Sequence, residues 1–297
     1  LDEETPGDRL FVASPTNQLY RIMELDAFGA GAREVRFLTP NGERAIDPGR
    51  SSSLDPDFSP LLDKIAFVST QKQNAADPEG QDVWMANADG TGTVRLTVGF
   101  GVPSRGVHVR RPRFSPDGRF LTFESNVFDA SAGDNPRQVF RLFALPLDAN
   151  GGLALSGGQA RYADLVRFTP PMDAVLLRPD ASFVPRDNWT NLRWLSGTEA
   201  IFNVTSRDGR TSSVHRMVLT AVAGAAPAIT INQLTPSSSA LGQPTVLDAR
   251  GNGADVAALV LRSGVRFEES ATRVGPYVLT VSAGTNGTQV AAVRYEP

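Results

Sequence analysis

The stretch Arg111-Pro-Arg-Phe-Ser-Pro-Asp-Gly-Arg-Phe-Leu-Thr-Phe-Glu-Ser125 spells a strand, a tight turn and a second strand. In Ser115-Pro116-Asp117-Gly118 a proline stands where a turn needs φ near −65°, and a glycine where φ turns positive. The flanking segments Arg113-Phe114-Ser115 and Phe120-Leu121-Thr122-Phe123 carry aromatic and β-branched residues with near-alternating polarity, which suits a pleated, half-buried surface.

The same unit recurs along the chain. Asp57-Phe-Ser-Pro-Leu-Leu-Asp-Lys-Ile-Ala-Phe-Val-Ser69 repeats it nearly position for position. Asn191-Leu-Arg-Trp-Leu-Ser-Gly-Thr-Glu-Ala-Ile-Phe-Asn203 repeats it with Trp194 in the Phe slot, which makes that indole a core residue. Near the N-terminus Gly7-Asp-Arg-Leu-Phe-Val-Ala-Ser14 matches only the second half, as though the first strand were missing. Each copy is followed by a third strand, for example Asp82-Val-Trp-Met-Ala-Asn87. Where the fourth strand is legible it lies past another tight turn, as in Ala88-Asp-Gly-Thr-Gly92 before Val94-Arg-Leu-Thr97. In the third copy the last strand is placed near Leu165-Val-Arg-Phe168. Four antiparallel strands in up-and-down order make the blade of a β-propeller.

Phe-Ser-Pro-Asp-Gly, then Ile-Ala-Phe, then Val-Trp-Met with Ala-Asp-Gly-Thr-Gly and Leu-Thr resembles the repeat of TolB-type propellers, also called PD40 or WD40-like β-propeller repeats. Residues 55 to 97 and 111 to 150 match closely, and the outer two copies are degenerate. The resemblance implies the fold far more than any activity, because that repeat serves many proteins. TolB itself adds an N-terminal α/β domain, and no segment here has that pattern.

From Pro227 the character changes, with phenylalanine nearly absent and short alternating segments such as Thr245-Val-Leu-Asp-Ala249 and Tyr277-Val-Leu-Thr-Val281. The Pro276-Tyr277 strand, the Asn286-Gly287 turn and the final Val290-Ala-Ala-Val-Arg-Tyr295 strand resemble bacterial immunoglobulin-like modules. The expectation is therefore an all-β chain: a TolB-like β-propeller over residues 1–226 and an Ig-like β-sandwich over 227–297. The competing reading turns Thr245 to Ser282 into a further blade, with Val293 to Pro297 supplying the strand that the N-terminal copy lacks.

Composition narrows the function. The 297 residues carry a formal charge of −3 with acids and bases intermixed, which argues against nucleic acid as a partner. With no cysteine, disulfides, thiol catalysis and thiolate metal sites are excluded. The longest apolar run, Ala221 to Ile231, is too short to span a bilayer and is broken by Pro227. A lipid anchor or export signal ahead of Leu1 is compatible with the sequence.

Catalytic signatures are lacking. His108 and His215 have no Cys or His at metal-ligand spacing, and there is no Gly-x-Ser-x-Gly elbow, zincin helix or phosphate-cradling loop. Asp89, Asp117 and Asp148 are turn residues by position. The group around Asp129, Asp134 and Asn135 lacks the full spacing of a calcium loop. No cofactor is expected.

The short turns fall on the first and third connections of each repeat. The long insertions, 70 to 81, 98 to 110, 126 to 138 and 170 to 188, fall on the second and fourth, so one edge of the repeats carries the loops. Within them Phe100, Arg105, His108, Arg110 and Arg111 combine an aromatic with basic groups favoured at interfaces, and Trp189 lies outside the repeat's core slot. The bland reading pairs those arginines with Asp55, Asp57 or Asp129. The function expected is a non-enzymatic extracytoplasmic interaction module, periplasmic or cell-surface, docking on proteins of an envelope or surface assembly. The alternative is a carbohydrate-binding or polysaccharide-degrading propeller.

Overall fold

A computed structural model describes residues 10–16, 19–25, 32–72, 80–101, 106–127, 135, 137–154, 158–162, 175–177, 186–208, 211–221, 227–233, 244–252, 255–262, 277–284 and 287–294. Its named elements are all strands: β1 (Leu10–Thr16), β2 (Leu19–Leu25), β3 (Arg33–Glu34), β4 (Ser53–Ser59), β5 (Lys64–Ser69), β6 (Asp82–Asn87), β7 (Val94–Arg95), β8 (Thr97–Val98), β9 (Val109–Phe114), β10 (Phe120–Ser125), β11 (Arg141–Pro146), β12 (Ala160–Arg161), β13 (Val175–Leu176), β14 (Asn188–Trp194), β15 (Glu199–Thr205), β16 (Ser212–Thr220), β17 (Ala228–Gln233), β18 (Pro244–Asn252), β19 (Asp255–Arg262), β20 (Tyr277–Gly284) and β21 (Gly287–Arg294). The chain divides into two compact units, residues 1–138 with 142–176, and residues 139–141 with 177–297.

The repeats form sheets of the blade type. The second copy is the meander β4-β5-β6-β7, the third runs β9-β10-β11-β13, and the fourth β14-β15-β16-β17. The N-terminal copy has three strands among the described residues, β1-β2-β3. One expectation about edges is corrected. The outer strand of the third sheet is Val175–Leu176, pairing Phe143 with Leu176 and Ala144 with Val175, while residues 165–168 lie outside the described residues. The outer strand of the fourth sheet is β17, paired to β16 from His215↔Gln233 to Thr220↔Ala228.

Apolar faces meet between neighbouring sheets of the first unit. Phe37 stacks on Phe67 with centroids 4.2 Å apart, and Phe11 lies 5.1 Å from Phe58, closing the first sheet on the second. Phe100, Phe123, Phe143, Leu121 and Leu145 are buried between the second and third. Each such ring contributes roughly 2–3 kcal/mol of burial.

A bulge recurs in the first strand of each four-stranded sheet. Register shifts between Leu54 and Asp57 in β4, opposite Thr122/Glu124 in β9, and between Thr190 and Arg193 in β14. The inserted residue has positive φ each time: Asp55 at 51°, Arg111 at 51° and Asn191 at 56°. Asp and Asn tolerate this left-handed conformation, but an arginine there is strained by roughly 1–2 kcal/mol and persists only where its surroundings hold it.

In the C-terminal part, β18 pairs with β19 and β20 with β21, each as a hairpin. Tyr277 stands opposite Arg294 and Val281 opposite Val290, so the last strand is joined to its sequence neighbour.

Candidate functional site

The segment leading into β9 is anchored at its root by a buried carboxylate. Asp82, at the start of β6, accepts from Arg95 Nη2 at 2.5 Å and from Thr97 Oγ1 at 2.8 Å. Both members of the Asp82–Arg95 pair have side chains only 2% exposed. Burial pushes the Asp82 carboxyl above the usual carboxylate range, and the Arg95 charge with the hydrogen bonds from Arg95, Thr97 and Phe100 offsets only part of that rise. A buried pair of this kind fixes geometry more than it stabilises.

Past this anchor the chain turns inward, which corrects the reading of Phe100 as a surface aromatic. Phe100 is fully buried, with its ring edge-on to Phe123, Phe143 and Tyr162 at 5.3, 5.4 and 5.8 Å. Gly99, with φ of 79°, makes the inward turn. At Gly101 a Cβ would lie 2.7 Å from the Gln81 carbonyl oxygen, so only glycine permits the close approach that closes the 81–101 bridge. The Phe100 carbonyl then accepts from Ser125 Oγ at 2.9 Å. The Gly-Phe-Gly triplet was the available sign that this phenylalanine folds into the core.

Arg110 and Arg111 come together on one acceptor. Glu124, directly across from Arg110 in the sheet register, is buried and accepts from Arg110 Nε at 2.8 Å and Arg111 Nη1 at 3.2 Å. The backbone N–H of Arg111 donates to Asp55 Oδ2 at 3.0 Å, and Arg113 lies 3.7 Å from Asp57. Intramolecular pairing therefore engages both guanidinium groups, each about one third exposed, and the carboxylate that does most of it is one the motif reading passed over. A sign was present: the position opposite Leu54 in β5 is Val68, the one opposite Arg110 in β10 is Glu124, and the one opposite Thr190 in β15 is Asn203. Apolar faces apolar, cation faces anion, and hydroxyl faces amide.

His108 is exposed, and its backbone N–H donates to Asn126 Oδ1 at 2.6 Å. Arg105 lies outside the described residues. Trp189, expected as a surface contact, is buried, lies 5.1 Å from Phe202 and donates its backbone N–H to the Phe140 carbonyl. It stands in β14 where Val109 stands in β9, one residue before the polar cross-strand pair, so the repeat alignment marks it as a core position. Trp194 is buried as well.

Among the described residues no three His, Cys, Asp or Glu side chains gather as metal ligands, and no helix is long and apolar enough to cross a membrane. Asp129 and Asp134 lie outside the described residues, while the Asn135 side chain is buried and donates to the Val127 carbonyl at 3.0 Å.

No protein-family model matches the chain, and no curated protein matches it in sequence. Solved structures similar to it include a putative TolB from Agrobacterium tumefaciens, 14% identical, with 87% of this chain and 72% of that one covered at a TM-score of 0.45. TolB from Acinetobacter baumannii is 16% identical, with 97% and 62% covered at a TM-score of 0.45. A puromycin-hydrolyzing peptidase of Mycobacterium tuberculosis is 12% identical, with 96% and 43% covered at a TM-score of 0.45. The chain thus spans less than two thirds of the last two proteins. At such identities no residue role carries across, and the architecture rests on the strand order above.

Proposed function

We propose that this chain is a protein-interaction module that works outside the cytoplasm as an accessory part of an envelope or surface assembly. One observation supports it: the connections after β5, β8 and β10 are long. At the opposite end the turns after β6, β9 and β14 are short and closed by their own hydrogen bonds, although the connection after β11, residues 147–174, is long as well. Ser115 and Phe120 close one at 2.8 Å, Asn87 and Thr91 another at 2.9 Å, and Leu195 and Glu199 a third at 2.8 Å. At the other end the connections after β5, β8 and β10 run through residues 70–81, 99–108 and 126–140. In the fourth sheet the corresponding connection, 206–211, is short and closed by Ser206 and Thr211. Long connections carried on a rigid sheet are where binding surfaces are usually built. The pairing of Arg110 and Arg111 with Glu124 leaves exposed His108 as the described candidate closest to that edge.

Photo-crosslinking of the full chain in a native envelope extract tests the reading. Crosslinks to a defined protein from positions within 70–81, 99–108 or 126–140, and none from the short turns, are the expected result. Turnover or saturable binding of a polysaccharide, with no protein captured at those positions, would overturn it in favour of the carbohydrate reading.

A further inference from the structure

A cleft of about 180 Å³ opens beside β2, between that strand, residues 34–37 and the segment 44–53. Its lining includes Arg21, Arg36 and Arg44 against a single carboxylate, Glu34, together with Ser51 and Ser53. The cations are poorly compensated. Arg21 Nη1 lies 3.1 Å from Glu34 Oε1, but its Nε is buried and has no hydrogen-bond partner among the described residues. Arg36 and Arg44 are exposed and have no ion-pair partner among the described residues.

The sheet register sharpens the imbalance. Met23 pairs with Glu34, and Val35 donates its N–H to the Ile22 carbonyl at 3.0 Å. Continuing that register by one residue sets Arg36 opposite Arg21, two like charges at the position where cross-strand side chains come nearest. Ile22, Val35 and Phe37 are buried on the other face, so neither arginine can turn away into the core. A buried guanidinium donor without an acceptor is itself costly, and such exceptions call for a missing partner. Guanidinium groups pair readily with carboxylates, and Arg21 adds its charge to those of Arg36 and Arg44 along the cleft.

We propose that this cleft binds a carboxylate, seated beside Arg21 and neutralised by Arg36 and Arg44. Its volume lies below that of sites for drug-sized ligands, so it takes a small group: a short free carboxylate or one acidic side chain of a peptide. The inference does not rest on the interaction reading above, since no residue of 70–81, 99–108 or 126–140 lines the cleft.

Calorimetric titration of the full chain at low, constant ionic strength tests it with three probes: succinate, an acetylated and amidated Gly-Glu-Gly peptide, and inorganic phosphate. Saturable binding of succinate or the peptide is expected, weakened roughly tenfold by Arg36→Gln, whose exposed position leaves the fold intact, and lost with Arg21→Gln. Succinate binding identifies a free small carboxylate as the occupant, and binding of the peptide alone identifies an acidic side chain. Failure of both carboxylates to saturate, binding of phosphate alone, or equal affinity in Arg36→Gln would overturn the proposal.

Discussion

Asp57 Oδ2 accepts a 2.8 Å hydrogen bond from the backbone N–H of Phe114. The two residues hold adjacent slots of the same motif in successive repeats, Asp57 just before Phe58 and Phe114 just after Arg113, so the side chain of one sheet satisfies the backbone of the next. Asp55 does the same for the Arg111 N–H at 3.0 Å. β9 is an edge strand of its sheet, and the preceding sheet supplies the acceptors for these outward-facing amides.

Replacing Asp57 tests that link. Asp57→Ala leaves the Phe114 amide without its acceptor and is expected to destabilise by roughly 1–3 kcal/mol in urea unfolding, whereas Asp57→Asn, which keeps an acceptor oxygen, costs less. Equal midpoints for all three proteins would show that water takes the carboxylate's place.

Glu124 holds Arg110 and Arg111 together. Glu124→Gln removes the charge but keeps the shape, and is expected to cost roughly 1–3 kcal/mol, with the two one-third-exposed arginines recovering part through solvent. Restoring apolar pairing with Arg110→Leu and Glu124→Val together, after the Leu54–Val68 pair, is expected to recover part of that loss. A double variant no more stable than Glu124→Gln would contradict the exchange.

Gly90 carries φ of 89°, and a Cβ there would lie 2.3 Å from the Arg36 carbonyl oxygen. Its own carbonyl accepts from Leu38, tying the first repeat to the turn after β6. Gly90→Ala is expected to destabilise by more than about 2 kcal/mol, because conformational strain and backbone overlap act together. Gly42→Ala, equally left-handed at 81° but with nothing within 4 Å of the added carbon, should cost less. The difference between the two, read as unfolding midpoints, isolates the overlap.

His215 supplies a pH dependence. Burial against Phe202 lowers its pKa below the usual histidine value. A group with a depressed folded pKa contributes stability that is present above its unfolded pKa, about 6.5, and is lost as pH falls through the folded value. Unfolding free energy should therefore decline below about pH 6.5, and His215→Gln should flatten that part of the profile. An unchanged slope in the variant would assign the decline to other groups.

The repeated strand-turn-strand units were legible in the sequence because turn chemistry and period-two alternation are local. Ser115-Pro116-Asp117-Gly118 specifies its reversal whatever surrounds it, and Gly118 does adopt φ of 69°. The bulge was not legible. Arg111 is a residue type that avoids positive φ, and it is held there by Asp55 and Glu124, one 56 positions away and the other 13.

Tertiary structure alone decided the rest, since each remaining question turned on a partner distant in sequence. Phe100 enters the core because the second and third sheets offer a ring-lined gap, and Val175–Leu176 takes the outer edge of the third sheet by pairing with β11 across a long connection. Ala228–Gln233 joins the fourth sheet because β16, nine residues long, has an edge left to pair. The sequence by itself determined the strand-turn-strand units of the repeats and where the chain reverses within them. Which edges meet, and which charges are left uncompensated beside Arg21, depended on packing between segments that no local pattern connects.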